Sequence, residues 1–94
     1  EAHRLEGSIH WLKGNRRKAF RSWQRSIDIG QSRGLLPELA RTYFEIGRRL
    51  SEGGGPGASW NGARAEEFLR QAEEIFTRLN MEWDLDALKE ARKG

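Results

Sequence analysis

Two offsets bring this chain into partial register with itself, and that self-similarity limits the fold more than any other feature of its 94 residues. Moved by 33 residues, Ala2, Gly7, His10, Trp11 and Gly14 fall on Leu35, Ala40, Tyr43, Phe44 and Gly47. Moved by 46, Ala19, Trp23, Ser26, Ile29 and Gly34 fall on Ala65, Leu69, Ala72, Ile75 and Asn80. Similarity at such a period marks stacked supersecondary units, none of which can bury its apolar face alone. The 13-residue difference between the offsets falls where the chain reads Ser51-Glu-Gly-Gly-Gly-Pro-Gly-Ala-Ser59. The insertion therefore lengthens a turn and spares the flanking elements, a change that chain-closure entropy tolerates well.

The repeating elements read as helices. Ala2, Leu5, Ile9 and Leu12 recur at helical spacing and give the first one an apolar stripe that faces a neighbour. Gly14 and Asn15 then suit a C-terminal left-handed residue and the N-cap of a second helix, about Arg16 to Ser32, with Ala19, Phe20, Trp23, Ile27 and Gly30 on one side and Gly34 closing it. Pro37 fits the first turn of a third, whose apolar residues Leu36, Leu39, Ala40, Tyr43, Ile46, Gly47 and Leu50 cover more than one face. After the glycine-rich segment, read as a flexible loop, a fourth helix runs from an Asn61 cap to about Leu79, and a short fifth covers Trp83 to Arg92. No segment alternates at strand period, and β-branched residues are scarce. The expectation is an all-α domain.

Composition sets outer limits. Without cysteine there is no disulfide framework and no thiolate metal site, which points to a reducing, cytoplasmic setting. No apolar run approaches the roughly 20 residues of a membrane span, and the first residues lack the pattern of a signal peptide. The net charge of +3 hides a split: residues 1–50 carry 11 basic and 5 acidic side chains, residues 51–94 carry 6 and 9. A basic half keeps nucleic acid among the candidate partners, whereas the excess of arginine, 13 of 17 basic residues, fits a biased codon usage.

The repeat resembles the tetratricopeptide repeat, a helix pair of about 34 residues with the pattern W-x2-L-G-x2-Y, A-x3-F, P. Gly7 with His10 and Leu39-Ala40 with Tyr43 match the first block; Ala19-x3-Trp23 and Ala65-x3-Leu69 match the second. His3 and Leu36 stand in place of the Trp, Glu6 in place of the first Leu, and the late Pro is missing from both units. The stretch from His10 to Gln24, continued through Leu39–Gly47 and Ala72–Leu79, is similar to the C-terminal repeat tails of STAND-type ATPases, including those fused to cyclase domains. The resemblance implies a short right-handed solenoid of helix-turn-helix repeats: two helix pairs plus a C-terminal capping helix, with repeat 1 at 1–34, repeat 2 at 35–80 carrying the glycine-rich loop at about 51–62, and the cap at 81–94. It also implies a piece of a larger multidomain signalling or regulatory protein.

Chemistry is sparsely represented. His3 and His10 stand seven apart rather than at the i, i+4 spacing of paired helix ligands. The glycine run lacks the Lys-Ser/Thr of a phosphate-binding loop, and no serine lies in a nucleophile motif. Glu45 with Arg49, Glu66 with Arg70 and Glu74 with Arg78 read as solvated i, i+4 pairs. No enzymatic activity, metal or cofactor is expected. Two surfaces stand out instead. Trp11 and Phe44 correspond at the offset of 33, and in the repeat family that side of the first helix looks into the concave groove; with Arg4, Ser8, Arg41 and Arg48 they would anchor an acidic or C-terminal peptide. Packing against the core competes with that reading. Arg17, Arg21 and Arg25 form an i, i+4, i+8 row, extended by Arg16 and Lys18, suited to phosphates or to an acidic partner. The expected function is thus a protein-protein interaction or scaffolding module, whose partner is a protein, a peptide, neighbouring domains of its own chain, or a second copy through an exposed repeat end. A nucleic-acid surface or an effector-sensing arm of an ATPase is the alternative, and no membrane partner is expected. Trp60, beside the glycines, is expected to pin the loop.

Overall fold

The computed structural model describes residues 2–53 and 59–93, which form α1 (Ala2–Leu12), α2 (Arg16–Arg33), α3 (Leu36–Gly53), α4 (Ala65–Arg78) and α5 (Glu82–Lys93). A two-residue hairpin, β1 (Ser59–Trp60) and β2 (Ala63–Arg64), precedes α4. The chain is all-α, and among the described residues no helix is long and apolar enough to cross a membrane. Much of the glycine-rich segment, residues 54–58, lies outside the described residues.

The turns between helices form where the local chemistry requires. Gly14 (φ 83°) ends α1, and the Asn15 side chain accepts from the Lys18 amide at 3.2 Å, capping α2 within a three-residue turn. Gly34 takes the left-handed conformation after α2, and its amide and that of Leu35 reach back to Gln31 and Gly30 carbonyls. Asn80 (φ 56°) reverses the chain before α5. Asn61 behaves differently from the cap that was expected of it: Asn61 and Gly62 both have positive φ, 54° and 78°, and form the tip of the hairpin. Asn-Gly is the strongest short hairpin signal, because both central residues of such a turn must be left-handed. The fourth helix consequently starts at Ala65, after Arg64, with no side-chain cap.

Packing follows chain order. Each helix lies against the next, and α3 also meets α1 on one side and, through Arg41 and Asp84, α5 on the other. The α1–α2 interface closes on Trp23, which is fully buried and donates its indole N–H to the Arg4 carbonyl at 3.2 Å. Gly7 faces that ring: a Cβ there would come closer than 3.0 Å to three indole atoms. In the second pair, Gly47 stands in the same relation to Leu69 and the Ala65 carbonyl. Trp60 bridges α2 and α4. Its ring stacks on Phe20 of α2 at 5.0 Å and on Phe68 of α4 at 5.9 Å, so the hairpin is held to the core as expected for that tryptophan.

The two pairs repeat the same kinds of contact. Trp11 packs on Trp23 at 5.8 Å, and Phe44 packs on Phe76 at 6.4 Å. Ala19 and Trp23 are wholly buried, and so are Ala72 and Phe76. The ring pairs relate the first helices at 33 and the second at 53, whereas the glycine contacts, Gly7 on Trp23 and Gly47 on Leu69, match Trp23 to Leu69 at the 46 read from the sequence, seven residues less. Seven residues are two helical turns, so both alignments present the same face. At either offset the insertion lengthens α3 at the hairpin end, since α1 ends one residue after Trp11 and α3 nine after Phe44, and does not only widen a loop.

Because Gly7 has no room for a side chain, Gly7→Ala is expected to destabilise the domain by about 1–3 kcal/mol, the usual cost of overpacking a filled core. Chemical denaturation followed by tryptophan fluorescence measures this, and an unchanged midpoint would show that the helices can separate without loss.

Candidate interaction surfaces

The predicted groove lies on the side where α1, α3 and α5 come together, and most of its residues are tied to one another. The Arg4 and Glu38 side chains form an ion pair, Nε to Oε2 at 3.2 Å, at an angle that makes no hydrogen bond. Ser8 donates a short hydrogen bond to Glu45 Oε2, Arg48 donates to Glu45 Oε1 at 2.6 Å and Arg49 to Oε2 at 2.8 Å. Arg41 pairs with Asp84 at 3.2 Å. The guanidinium of Arg48 also lies over the Phe44 ring, 5.7 Å from its centroid. Arg41, Phe44 and Arg48 are each half-buried and together form the accessible part of this face.

Trp11 sits elsewhere. It is 8% exposed, wedged among Phe20 and Trp23, with Arg16 stacked 4.6 Å over its ring. It belongs to the α1–α2 core, and its truncation would cost on the order of 3–5 kcal/mol, as for other large core residues. Its burial turns α1 over relative to the sequence expectation. The stripe expected to face a neighbour points outward: Leu5 is 60%, Ile9 51% and Leu12 68% exposed. At 100° per residue the Gly7–Trp11 side and the Leu5–Ile9–Leu12 side lie nearly opposite, so burying one exposes the other. At the far end of the chain, Trp83 of α5 is 89% exposed beside Leu79 at 37%.

The basic row of α2 keeps its arginines in solvent. Arg17, Arg21 and Arg25 are exposed and form no ion pair among the described residues. Arg21 and Arg25 line a shallow depression between α1 and α2 together with Lys18, Ser22, His10 and Glu6; Arg17 does not take part. Lys18 was read in sequence as an extension of the row, whereas Ser22 and His10 were not singled out for this place; the available signal for Ser22 was its i, i+3 relation to Arg25. Among the described residues no three His, Cys, Asp or Glu side chains converge on a point where a metal could sit.

The titration of the Glu45 carboxyl is displaced. Burial works against its charged form, but the hydrogen bonds from Ser8 and Arg49 and the charge and hydrogen bond of Arg48 outweigh that, holding the carboxyl below its ordinary value. It is not a solvated pair of α3: only 8% of it is exposed, and it links α3 to α1. The expected Glu66–Arg70 pair is replaced: Arg70 bonds Glu67 instead, while Glu66 reaches Arg92 of α5 at 2.6 Å. A carboxyl with a lowered folded pKa adds stability that is complete above the unfolded value, about 4.3, and disappears as pH falls through the folded value. Urea midpoints are thus expected to drop below about pH 4.3 in the native chain, and Glu45→Gln is expected to flatten part of that drop; parallel pH profiles for the two would show that Glu45 contributes nothing to it.

No family model matches the chain, and comparison with curated proteins and with solved structures found none that matches it.

Proposed function

We propose that this chain is a non-catalytic protein-protein interaction or scaffolding module, built as a tetratricopeptide-like stack of two helix pairs and a capping helix. The observation that carries the reading is apolar surface left at both ends of an otherwise well-packed helical stack: Leu5, Ile9 and Leu12 on α1, Leu79 and Trp83 at α5. Contiguous exposed apolar residues on a small domain mark surfaces that meet something else. The repeat reading is supported by the paired rings Trp11–Trp23 and Phe44–Phe76 and by Ala72-x3-Phe76, which repeats Ala19-x3-Trp23 and matches the A-x3-F block of the family more closely than Ala65-x3-Leu69. In a stack of this kind further repeats, whether of its own chain or of another, would extend the core over the open ends. A place at the end of a STAND-type ATPase, as an effector-sensing arm, agrees with this reading but has only the sequence resemblance behind it.

For a peptide partner, the accessible contact is Arg41, Phe44 and Arg48, an aromatic edge between two guanidinium groups. Such a set favours a carboxylate-bearing segment, because charge-assisted bonds to arginine add to apolar contact with the ring. The immobilised domain, exposed to native extract, is expected to retain a protein at least tenfold more strongly than its Arg41→Gln/Arg48→Gln variant. Equal retention by both, with circular dichroism showing both folded, would remove this face from the reading.

A second reading has one specific observation in its favour: Arg17, Arg21 and Arg25 of α2 form no ion pair among the described residues. If they grip nucleic acid, duplex binding should weaken with salt at a log-log slope of about −0.9 for each phosphate contacted, and Arg17→Gln/Arg21→Gln/Arg25→Gln should remove about three units of slope at most. Fluorescence anisotropy with a random duplex at low salt decides: absence of binding there dismisses the nucleic-acid surface.

A further inference from the structure

The outward stripe of α1 has a pattern of its own. Leu5, Ile9 and Leu12 are spaced four and three residues apart, the alternation of a coiled-coil seam and narrower than the stripe by which a helix joins a globular core. All three are more than half exposed, and the body of the domain lies on the opposite side of the helix, so nothing in the fold blocks the approach of a second helix. The charges beside the stripe are equally informative. Glu6 and Lys13, seven residues apart, lie on the same flank; both are exposed, one acidic and one basic.

We infer that α1 pairs with α1 of a second copy of this chain, antiparallel, about a two-fold axis near Ile9. This deepens the interaction-module reading and rests on it. In that arrangement Leu5 of each copy meets the Leu12 end of the other, Ile9 of each copy faces its counterpart, and Glu6 of each copy comes opposite Lys13 of the other. The complementarity is satisfied twice because the axis repeats it. Parallel pairing about a two-fold axis would place the Glu6–Lys13 flanks of the two copies on opposite sides of the seam and lose that attraction. The contact is isologous and closes at a dimer, so the apolar stripe does not propagate into a filament. It is also small. One face of an 11-residue helix falls at the lower end of specific interfaces, so the dimer is weak and forms at high protein concentration.

The basic depression bears on the same pairing. Lys18, Arg21 and Arg25 stand on the Glu6 side of α1, so two copies bring like charge towards one another. The apolar seam must overcome that repulsion, and added salt screens it. Dimerisation is therefore expected to be no weaker at high ionic strength than at low, opposite in sense to binding of nucleic acid by the same arginines.

Analytical ultracentrifugation of the 94-residue chain from about 0.02 to 1 mM, the range in which weak association shows, is expected to reveal a monomer-dimer equilibrium. Ile9→Glu should weaken it at least tenfold while leaving the urea midpoint nearly unchanged, since Ile9 is outside the core. Lys13→Glu alone should also weaken it, and Glu6→Lys/Lys13→Glu should restore it. Orientation is read by oxidative crosslinking, for which the native chain is silent because it has no cysteine. Leu5→Cys and Leu12→Cys should crosslink to each other in a mixture more than either does to itself. A strict monomer at 1 mM, a dimer indifferent to Ile9→Glu, or self-crosslinking of Leu5→Cys in excess of mixed crosslinking would each overturn the proposal. Because the Arg41–Phe44–Arg48 face is separate from the stripe, a monomer that still retains a partner through that face would sink this inference and leave the function standing.

Discussion

Trp23 is fully buried because the residue that faces it, Gly7, has no side chain. The indole occupies the space a Cβ would fill, reaches past α1's surface to the Arg4 carbonyl, and satisfies its N–H there. A buried indole without that acceptor would carry an unpaired donor, a loss of about 1–3 kcal/mol. One glycine therefore permits three things together: close approach of the two helices, burial of the largest side chain in the core, and a partner for its polar atom. Trp11 completes the arrangement, packed against Trp23 and Phe20 at 5.8 Å from each and covered by Arg16. The second pair uses Phe44 against Phe76 for the same purpose.

That contact dictates the surface as well as the core. Once Gly7 and Trp11 are turned inward, the geometry of the helix leaves Leu5, Ile9 and Leu12 no inward direction. Their exposure is a consequence of where Trp23 goes. A chain under pressure only to fold alone could replace those three with polar residues at no loss of internal packing, since none of them lies in the core. On the proposed reading the apolar identity of the stripe serves a contact outside the domain, and so does that of Trp83 at the other end.

Helix number, the Gly14-Asn15 and Gly34 turns, and the apolar faces of α2, α3 and α4 were legible because period and capping chemistry both reported them. Three features were not, each for a physical reason. Asn61 was read as a cap because asparagine serves both caps and left-handed turns; Gly62 after it was the deciding residue, since only a hairpin tip asks for two successive positive φ values. The register of the second helices was not fixed by the sequence because a shift of two turns keeps every apolar residue on its face; the Gly47–Leu69 contact keeps the offset of 46 and the ring pair Phe44–Phe76 gives 53. On α1 two apolar sets competed, Leu5-Ile9-Leu12 and Gly7-Trp11. The leucine stripe has the stronger periodicity, but one tryptophan with a glycine beside it offers larger buried area and closer approach, and it took the core. Of the candidate site, the Arg17–Arg21–Arg25 row was legible as a solvent face, whereas the groove arginines were not legible as paired, because their acids Glu38, Glu45 and Asp84 lie on other turns or other helices.

Those pairings decide what the α1–α3–α5 face can recognise. Glu45 binds Ser8, Arg48 and Arg49 at once, so it fastens α1 to α3 while drawing charge from two arginines; Asp84 does the same for Arg41 across to α5. An incoming carboxylate at Arg48 or Arg41 must compete with a carboxylate already present at hydrogen-bonding distance, and gains only the difference between the two. Among the described residues Arg17, Arg21 and Arg25 form no such pair, so on the proposed reading an anionic partner attracted by the basic half of the molecule meets Arg21 and Arg25 first and on better terms. Discrimination at the groove then falls to Phe44, whose ring holds Arg48 from one side and rests on Phe76 on the other. A partner that covers the ring desolvates Arg48 and strengthens its bonds to acid, while one that brings charge alone leaves the internal pairing as it is.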